Sequence, residues 1–311
     1  VWAYTSKRVG SALLVAVGVS CATFLLLHVE PGDPARLVLG EHATPAQIAA
    51  LRHQWGLDRS LPAQFVHFVS GLVHGDLGTS YFYGVPVLRL VEQRIWLTLG
   101  LVAIATLFAV LITLPLATVA AARKDGIADH LVRAISVAGL GLPAFWFGIV
   151  LIEIFAVHLG WLPVGGDGDS FAAHLEGLVL PGLTAAFAIV PLLVRSLRVG
   201  MIDVLGADFV ATARAKGAGE LRVLVAHVAR NALVPTVALL GVNVAYLVGS
   251  TVVVERVFDL HGAGALLLDA ITNRDFPVVQ AATLVLALVV VLVNLATDLV
   301  TARLDPRIRL G

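Results

Sequence analysis

Residues 208–235 read DFVATARAKGAGELRVLVAHVARNALVP. Apolar runs long enough to cross a bilayer flank this stretch on both sides, yet it carries Arg214, Lys216, Arg222 and Arg230. Asp208 is a suitable N-cap for a short helix over Phe209–Lys216. Gly217 suits the left-handed residue that ends such a helix. A second helix is expected from near Glu220, with Leu221, Leu224, Val225, Val228, Ala229 and Ala232 forming its apolar stripe. Arg222, His227, Arg230 and Asn231 fall on its other faces, and Val234-Pro235 is expected to end it before the next span. The segment therefore reads as two helices at a sharp corner. The residues alone leave two uses open. The corner lies in the headgroup layer with its arginines on anionic lipid, or it is a rigid knob that another protein grasps.

The rest of the chain sets the context. Of 311 residues 59 % are hydrophobic and 14 % charged, against about 25 % charged in a soluble domain. Lys plus Arg equals Asp plus Glu at 21 each, so nothing in the charge favours nucleic acid as a partner. The single cysteine, Cys21, excludes an intrachain disulfide and a cysteine metal site. These numbers describe an all-α polytopic membrane protein. Six runs pass the roughly 20-residue length test, at about 9–29, 96–121, 132–158, 178–197, 236–256 and 278–302. Residues 1–29 carry Lys7 and Arg8 before an apolar core, like a signal peptide. The core is long and no small-x-small site follows it, so a retained first span is expected.

Basic residues orient the spans. Lys7, Arg8, Arg123, Lys124, Arg133, Arg195 to Arg230, Arg303, Arg307 and Arg309 fall on one side, which the positive-inside rule makes cytoplasmic. The loop 159–177 on the other side has no Lys or Arg. Both termini and the opening stretch are thus expected in the cytoplasm. The division is 1–29, a cytoplasmic N-terminus with the first span, then 30–95, an extracytoplasmic segment. Residues 96–311 follow as a five-helix core with its cytoplasmic loop at 198–235. Within 30–95, Thr44-Pro45 announces a helix that Gly56 stops. A second run, Pro62–Val73, puts Phe65, Phe68, Val69 and Leu72 on one face before Gly75. Both read as amphipathic helices on the outer face of the membrane.

The run Ala211-Thr-Ala-Arg-Ala-Lys-Gly217, followed by Arg230-Asn-Ala-Leu-Val-Pro235, resembles the coupling-loop motif of binding-protein-dependent ABC importer permeases. Ala211 and Thr212 replace the usual Glu-Ala. Other motifs of the peptide and nickel branch follow in order. They are Glu30-Pro-Gly-Asp-Pro34, Gly75-Asp-Leu-Gly-Thr-Ser80, Pro143-Ala-Phe-Trp-Phe-Gly148, Leu159-Gly-Trp-Leu-Pro163, Val253-Val-Glu-Arg-Val-Phe258, Arg274-Asp-Phe-Pro277 and Asn294 through Leu304-Asp-Pro-Arg307. The ordered set covers nearly the whole chain. It resembles the first permease subunit of dipeptide and oligopeptide importers, the DppB/OppB kind. The resemblance implies the permease fold of six transmembrane helices with outer amphipathic helices and a cytoplasmic coupling helix. The implied site is Asp208, Ala213, Arg214, Ala215, Lys216, Gly217 and Glu220, held in a cleft of an ATPase subunit. It also implies partners: a second homologous permease subunit (DppC/OppC-like), two ATP-binding subunits, an extracytoplasmic peptide-binding protein and the lipid bilayer. In that arrangement ATP and Mg sit on the partner subunits, and this chain binds no cofactor.

The residues agree with an inert transport subunit. Of the three lysines, Lys7, Lys124 and Lys216, none stands in a phosphate-binding Gly-x-x-x-x-Gly-Lys context. Gly139-Leu-Gly141-Leu-Pro-Ala144 matches a dinucleotide fingerprint only loosely, because it lies in a span with no strand before it. The ten histidines include no His-Glu-x-x-His, and no catalytic or metal-ligating constellation is found. Polar groups inside spans are costly and therefore candidates for function. Glu153 and Asn243 are possible lining residues of the pathway, or residues paired within the bundle. Asn294 and Asp298, four apart, read as a structural polar pair near the inner end of the last helix. Asp305-Pro306-Arg307 is expected to end that helix. Pro115, Pro143, Pro181 and Pro191 are expected to bend spans. Two further readings remain: a permease of the same family for nickel chelates or glutathione-type ligands, and a stand-alone channel or secondary transporter.

Overall fold

The computed structural model describes residues 2–29, 32–40, 42–166 and 170–304; the expected stop at Asp305-Pro306-Arg307 and the start of the Glu30-Pro31 motif lie outside them. The regular secondary structure of the described residues is helical, apart from one isolated bridge between Thr79 and Pro86. They form two compact units. One comprises residues 5–98 and 261–289, the other residues 2–4, 99–260 and 290–304.

The first unit opens on α1 (Trp2–Val29) and α2 (Pro34–Leu39), a short helix that the sequence reading did not anticipate. Its cap is nonetheless written in the chain, since Asp33 accepts the Ala35 N–H at 3.0 Å and Pro34 fills the first helical position. α3 (Pro45–Gln54) starts as expected, and Thr44 and Gln47 close a reciprocal capping box. α4 (Leu61–His74) ends on Gly75 at φ 75°. Its Phe65 meets Phe24 edge-on with ring centroids 5.2 Å apart.

α5 (Val87–Ala122) begins nine residues before the expected apolar span at 96, because Val87, Leu90 and Val91 already share a buried face. They pack against Leu266 and Ala270 of α14 (Ala263–Thr272) and Val278 of α15 (Phe276–Leu304). One buried carboxylate organises this unit. Asp275, wholly buried, accepts the Ser80 hydroxyl and the backbone N–H groups of Tyr81 (3.0 Å) and Phe82 (3.2 Å). Ser80 Oγ in turn accepts the Tyr83 N–H at 2.8 Å. Two motifs 195 residues apart, Gly75–Ser80 and Arg274–Pro277, are thereby joined.

In the second unit the expected spans at 132–158 and 178–197 are not straight. α6 (Ile127–Gly141) and α7 (Ala144–Leu151) meet at a 105° bend, after which the turns widen to a π-helical stretch at Ile152–His158. Pro143 causes the break. It holds Leu142 in the extended region (φ −100°, ψ 132°) and offers no N–H to continue the ladder. α8 (Phe171–Gly177) and α9 (Val179–Phe187) lead into α10 (Val190–Leu205) through a 58° bend, with Pro191 in the first turn after it. Among the described residues, three helices are long and apolar enough to cross a membrane, or up to five if each bent pair is one span. The expected first span falls in α1, whose described apolar part, Leu13–Leu26, is shorter.

Candidate functional site: the helical corner at 206–222

α10 stops at Gly206, and Ala207 turns the chain in an extended conformation (φ −81°, ψ 145°). α11 (Asp208–Ala215) follows. Asp208 is its first helical residue, not its N-cap as expected; the cap position is Ala207, and no side chain caps the end. Its carboxylate still favours the positive end of the helix dipole.

The other end is closed by a Schellman motif. Gly217 N–H donates to Arg214 O at 2.9 Å and Ala218 N–H to Ala213 O at 3.1 Å, with Gly217 at φ 81°. The chain reverses there because only glycine takes that φ without strain. A Cβ at Gly217 would meet nothing within 4 Å, so the requirement is conformational and not one of space. Across the corner, Arg214 forms a two-bond ion pair with Glu220, Nε to Oε1 at 2.9 Å and Nη2 to Oε2 at 3.0 Å.

α11 is fixed to the bundle through one residue. Val210 is its only buried side chain and sits among Val194, Leu197, Met201, Val223, Val228 and Ala232. Phe209, Ala211, Thr212, Arg214, Ala215, Lys216 and Gly217 are exposed. Sequence reasoning missed both Val210 as the anchor and Phe209, an aromatic ring 46 % exposed beside it.

Beyond the corner, α12 (Glu220–Arg222) passes into a π-helical stretch at Val223–Ala229 and then directly into α13 (Arg230–Val257). Pro235 therefore does not end a helix; it lies inside α13. The wider turns also change the buried face. Val223, which the α-helical stripe omitted, is fully buried together with Val228 and Ala232, at spacings of five and four. The side chains of Leu221, Val225, His227 and Arg230 lie outside the described residues.

The support beneath the corner is polar as well as apolar. Arg198 of α10 holds Asp129 of α6 through Nε–Oδ1 at 2.5 Å and Nη2–Oδ2 at 2.6 Å, and the Asp129 side chain is wholly buried. Asp125 N–H adds a third bond to the same carboxylate at 3.0 Å. α10 also meets α13 through Ser196 and Thr236, whose hydroxyl oxygens are 3.2 Å apart.

The other expected site residues are scattered. Glu153 lies in the π-helical stretch at Ile152–His158, with its carboxylate 3.4 Å from His158 Nδ1, and both side chains are more than half exposed. Asn243 donates to Leu239 O of its own helix at 2.8 Å. Asn294 and Asp298 are half-buried one turn apart on α15. Among the described residues no group of three His, Cys, Asp or Glu side chains could hold a metal.

Comparison with known proteins places this architecture. Residues 2–102 match the N-terminal family of binding-protein-dependent transport system membrane components, and residues 113–310 the binding-protein-dependent transport system inner membrane component. The chain is 37 % identical over 309 residues to the probable peptide ABC transporter permease protein y4tP of Sinorhizobium fredii, covering 98 % of this chain and 99 % of that protein. It is 39 % identical over 306 residues to the glutathione transport system permease protein GsiC of Pectobacterium atrosepticum and to that of Escherichia coli K12, covering 98 % of each chain. The chain thus belongs to the family of binding-protein-dependent transport system inner membrane components, as a permease subunit of an ABC transporter and not an enzyme.

Proposed function

We propose that the chain is one transmembrane permease subunit of an ATP-driven importer of di- and oligopeptides, and that Asp208–Glu220 is its coupling helix and corner. The distribution of Lys and Arg supports six spans with both termini in the cytoplasm, an arrangement in which that corner faces the ATPase subunits. A second homologous permease completes the pathway, two ATP-binding subunits hold ATP and Mg, and an extracytoplasmic binding protein delivers the peptide. Membership of the family supports ATPase and binding-protein partners in general. The observation that carries the coupling role is mechanical. An exposed helix is locked by a Schellman cap at one end and pinned through Val210 to a buried cluster. A push on such a helix reaches the spans, whereas a floppy loop would absorb it.

The test is co-purification from membranes in mild detergent with ATP hydrolysis assayed, for the wild type and Gly217→Pro. An ATPase subunit should travel with the wild type and be lost with the variant. Purification without any ATPase, together with solute flux by the chain alone, would refute the proposal in favour of a stand-alone channel or secondary transporter.

Glutathione is the second reading of the substrate, because relatives at 39 % identity are named for it, against 37 % for the relative named for peptides. Glutathione is itself a tripeptide, so both readings ask for a path that passes amides and end charges. Uptake of a labelled dipeptide into vesicles holding the complete importer, competed with glutathione, separates them.

A further inference from the structure

The unit of residues 5–98 and 261–289 holds a cavity of about 380 Å³, within the roughly 300–1,000 Å³ typical of small-ligand pockets. Three aromatic rings build one wall. Trp55 stacks on Tyr81 with centroids 4.0 Å apart and planes 10° from parallel, and Tyr81 leans on Phe276 at 6.4 Å. Asp275 sets this wall, since it holds the backbone N–H of Tyr81. Burial first, and the Asp275 charge second, push the Tyr81 phenol up, so the ring stays neutral.

A second observation points to a ligand. Gln280 also lines the cavity, is only 7 % exposed, and its amide has no hydrogen-bond partner among the described residues. That amide opens onto the cavity, where it can both donate and accept. A peptide amide, with one N–H and one C=O, can satisfy both halves at once. The cavity wall also carries Arg59 and Asp76, neither in an ion pair among the described residues.

We propose that this cavity is a binding site for a short free peptide. An aromatic or large apolar side chain lies on Trp55, Tyr81 and Phe276, the peptide amide meets Gln280, the carboxylate meets Arg59 and the ammonium meets Asp76. The inference rests on the peptide-import reading for its biological use, and on the cavity alone for its chemistry.

The test uses the complete importer in lipid nanodiscs, without ATP and without its external binding protein, titrated with labelled Ala-Phe. Saturable binding is expected, with Gly-Gly binding much more weakly. Gln280→Leu fills the same space without an amide and should weaken Ala-Phe about tenfold, the scale of one hydrogen bond left unmade. Arg59 is exposed, so Arg59→Ala should leave the fold intact. It should weaken Ala-Phe but not its C-terminally amidated form.

Absence of saturable binding, or binding indifferent to both substitutions, would overturn the site. So would a result in which only affinity for the peptide-free binding protein falls, since the cavity would then seat a loop of that protein. Uptake of Ala-Phe with ATP is measured in parallel. Uptake without this binding sinks the cavity and leaves the import reading standing; binding without uptake does the reverse.

Discussion

Replacing Gly217 by Ala perturbs the corner and nothing else. The new Cβ meets no atom within 4 Å, so packing is unchanged. The whole effect is the cost of holding an L-residue at φ 81°, about 1–2 kcal/mol. At about 1.4 kcal/mol per factor of ten, the population of the closed corner falls by roughly five- to thirtyfold relative to competing conformations. Gly219 is the internal control. It sits at φ −65° with an equally empty surround, so Gly219→Ala should be neutral or slightly stabilising. Gly217→Asn should fall between, because Asn tolerates the left-handed region. Gly217→Pro should be worst, since its φ is fixed near −65° and it removes the N–H donated to Arg214 O. The assay is affinity of the ATPase subunits for the permease in nanodiscs, with thermal stability measured alongside. The expected order of affinity is Gly219→Ala equal to wild type, then Gly217→Asn, Gly217→Ala and Gly217→Pro, with little change in melting. Equal loss in the two alanine variants, or none in either, would refute the argument from φ.

Other consequences can be measured independently. The Arg214–Glu220 pair is exposed, so Glu220→Gln should cost under about 1 kcal/mol of stability, and less at high salt. If Arg214 also meets the ATPase, that variant frees it and should raise ATPase affinity, which a binding titration reads directly. Asp129→Ala leaves the Arg198 guanidinium without its buried partner and should cost about 3–5 kcal/mol in a denaturation experiment, while a double Leu replacement should cost much less. Asp275→Ala strips acceptors from Ser80, Tyr81 and Phe82 and should cost about 1–3 kcal/mol for each donor left buried; loosened Tyr81 should appear as altered Trp55 fluorescence. A Cβ on Gly241 would stand 1.9 Å from Thr297 Cγ2, so Gly241→Ala should cost about 1–3 kcal/mol by overpacking, with part restored by Thr297→Gly.

Local signals were legible in the sequence where a residue acts on its own neighbours. Thr44-Pro45 opened a helix, Gly56 and Gly75 stand just past helix ends as expected, and Gly217 sits at the positive φ that its position implied. The ordered motifs pointed to the family that the comparisons show. Bends were legible only as possibilities. Pro143 stands at the break in its span and Pro191 in the first turn after one, whereas Pro115, Pro181 and Pro235 lie inside helices. A proline lowers the cost of a break, and the surrounding packing decides whether the break is used. The π-helical turns at 152–158 and 223–229 left no periodic signature, because seven residues are too few to separate their spacing from that of an α-helix. Pairings distant in the chain were invisible. Asp129 meets Arg198 across 69 residues, and Asp275 meets Ser80 across 195. Each is a lone acid in sequence, and only the fold supplies its partner.

The most direct measurement is chemical. Cys21 is the single cysteine, so Cys21→Ser gives a background in which one new thiol reports its own neighbourhood. Ala215→Cys and Lys216→Cys put that thiol on the exposed end of α11, and His53→Cys puts it on the exposed end of α3. In the complete importer a maleimide carrying a photoreactive benzophenone, attached to the thiol and then irradiated so that it inserts into a neighbouring C–H bond, should join positions 215 and 216 to an ATPase subunit and leave position 53 unjoined. Labelling of 215 and 216 by a lipid-soluble reagent, with no ATPase adduct at either position, would contradict the coupling role and return the corner to the headgroup layer.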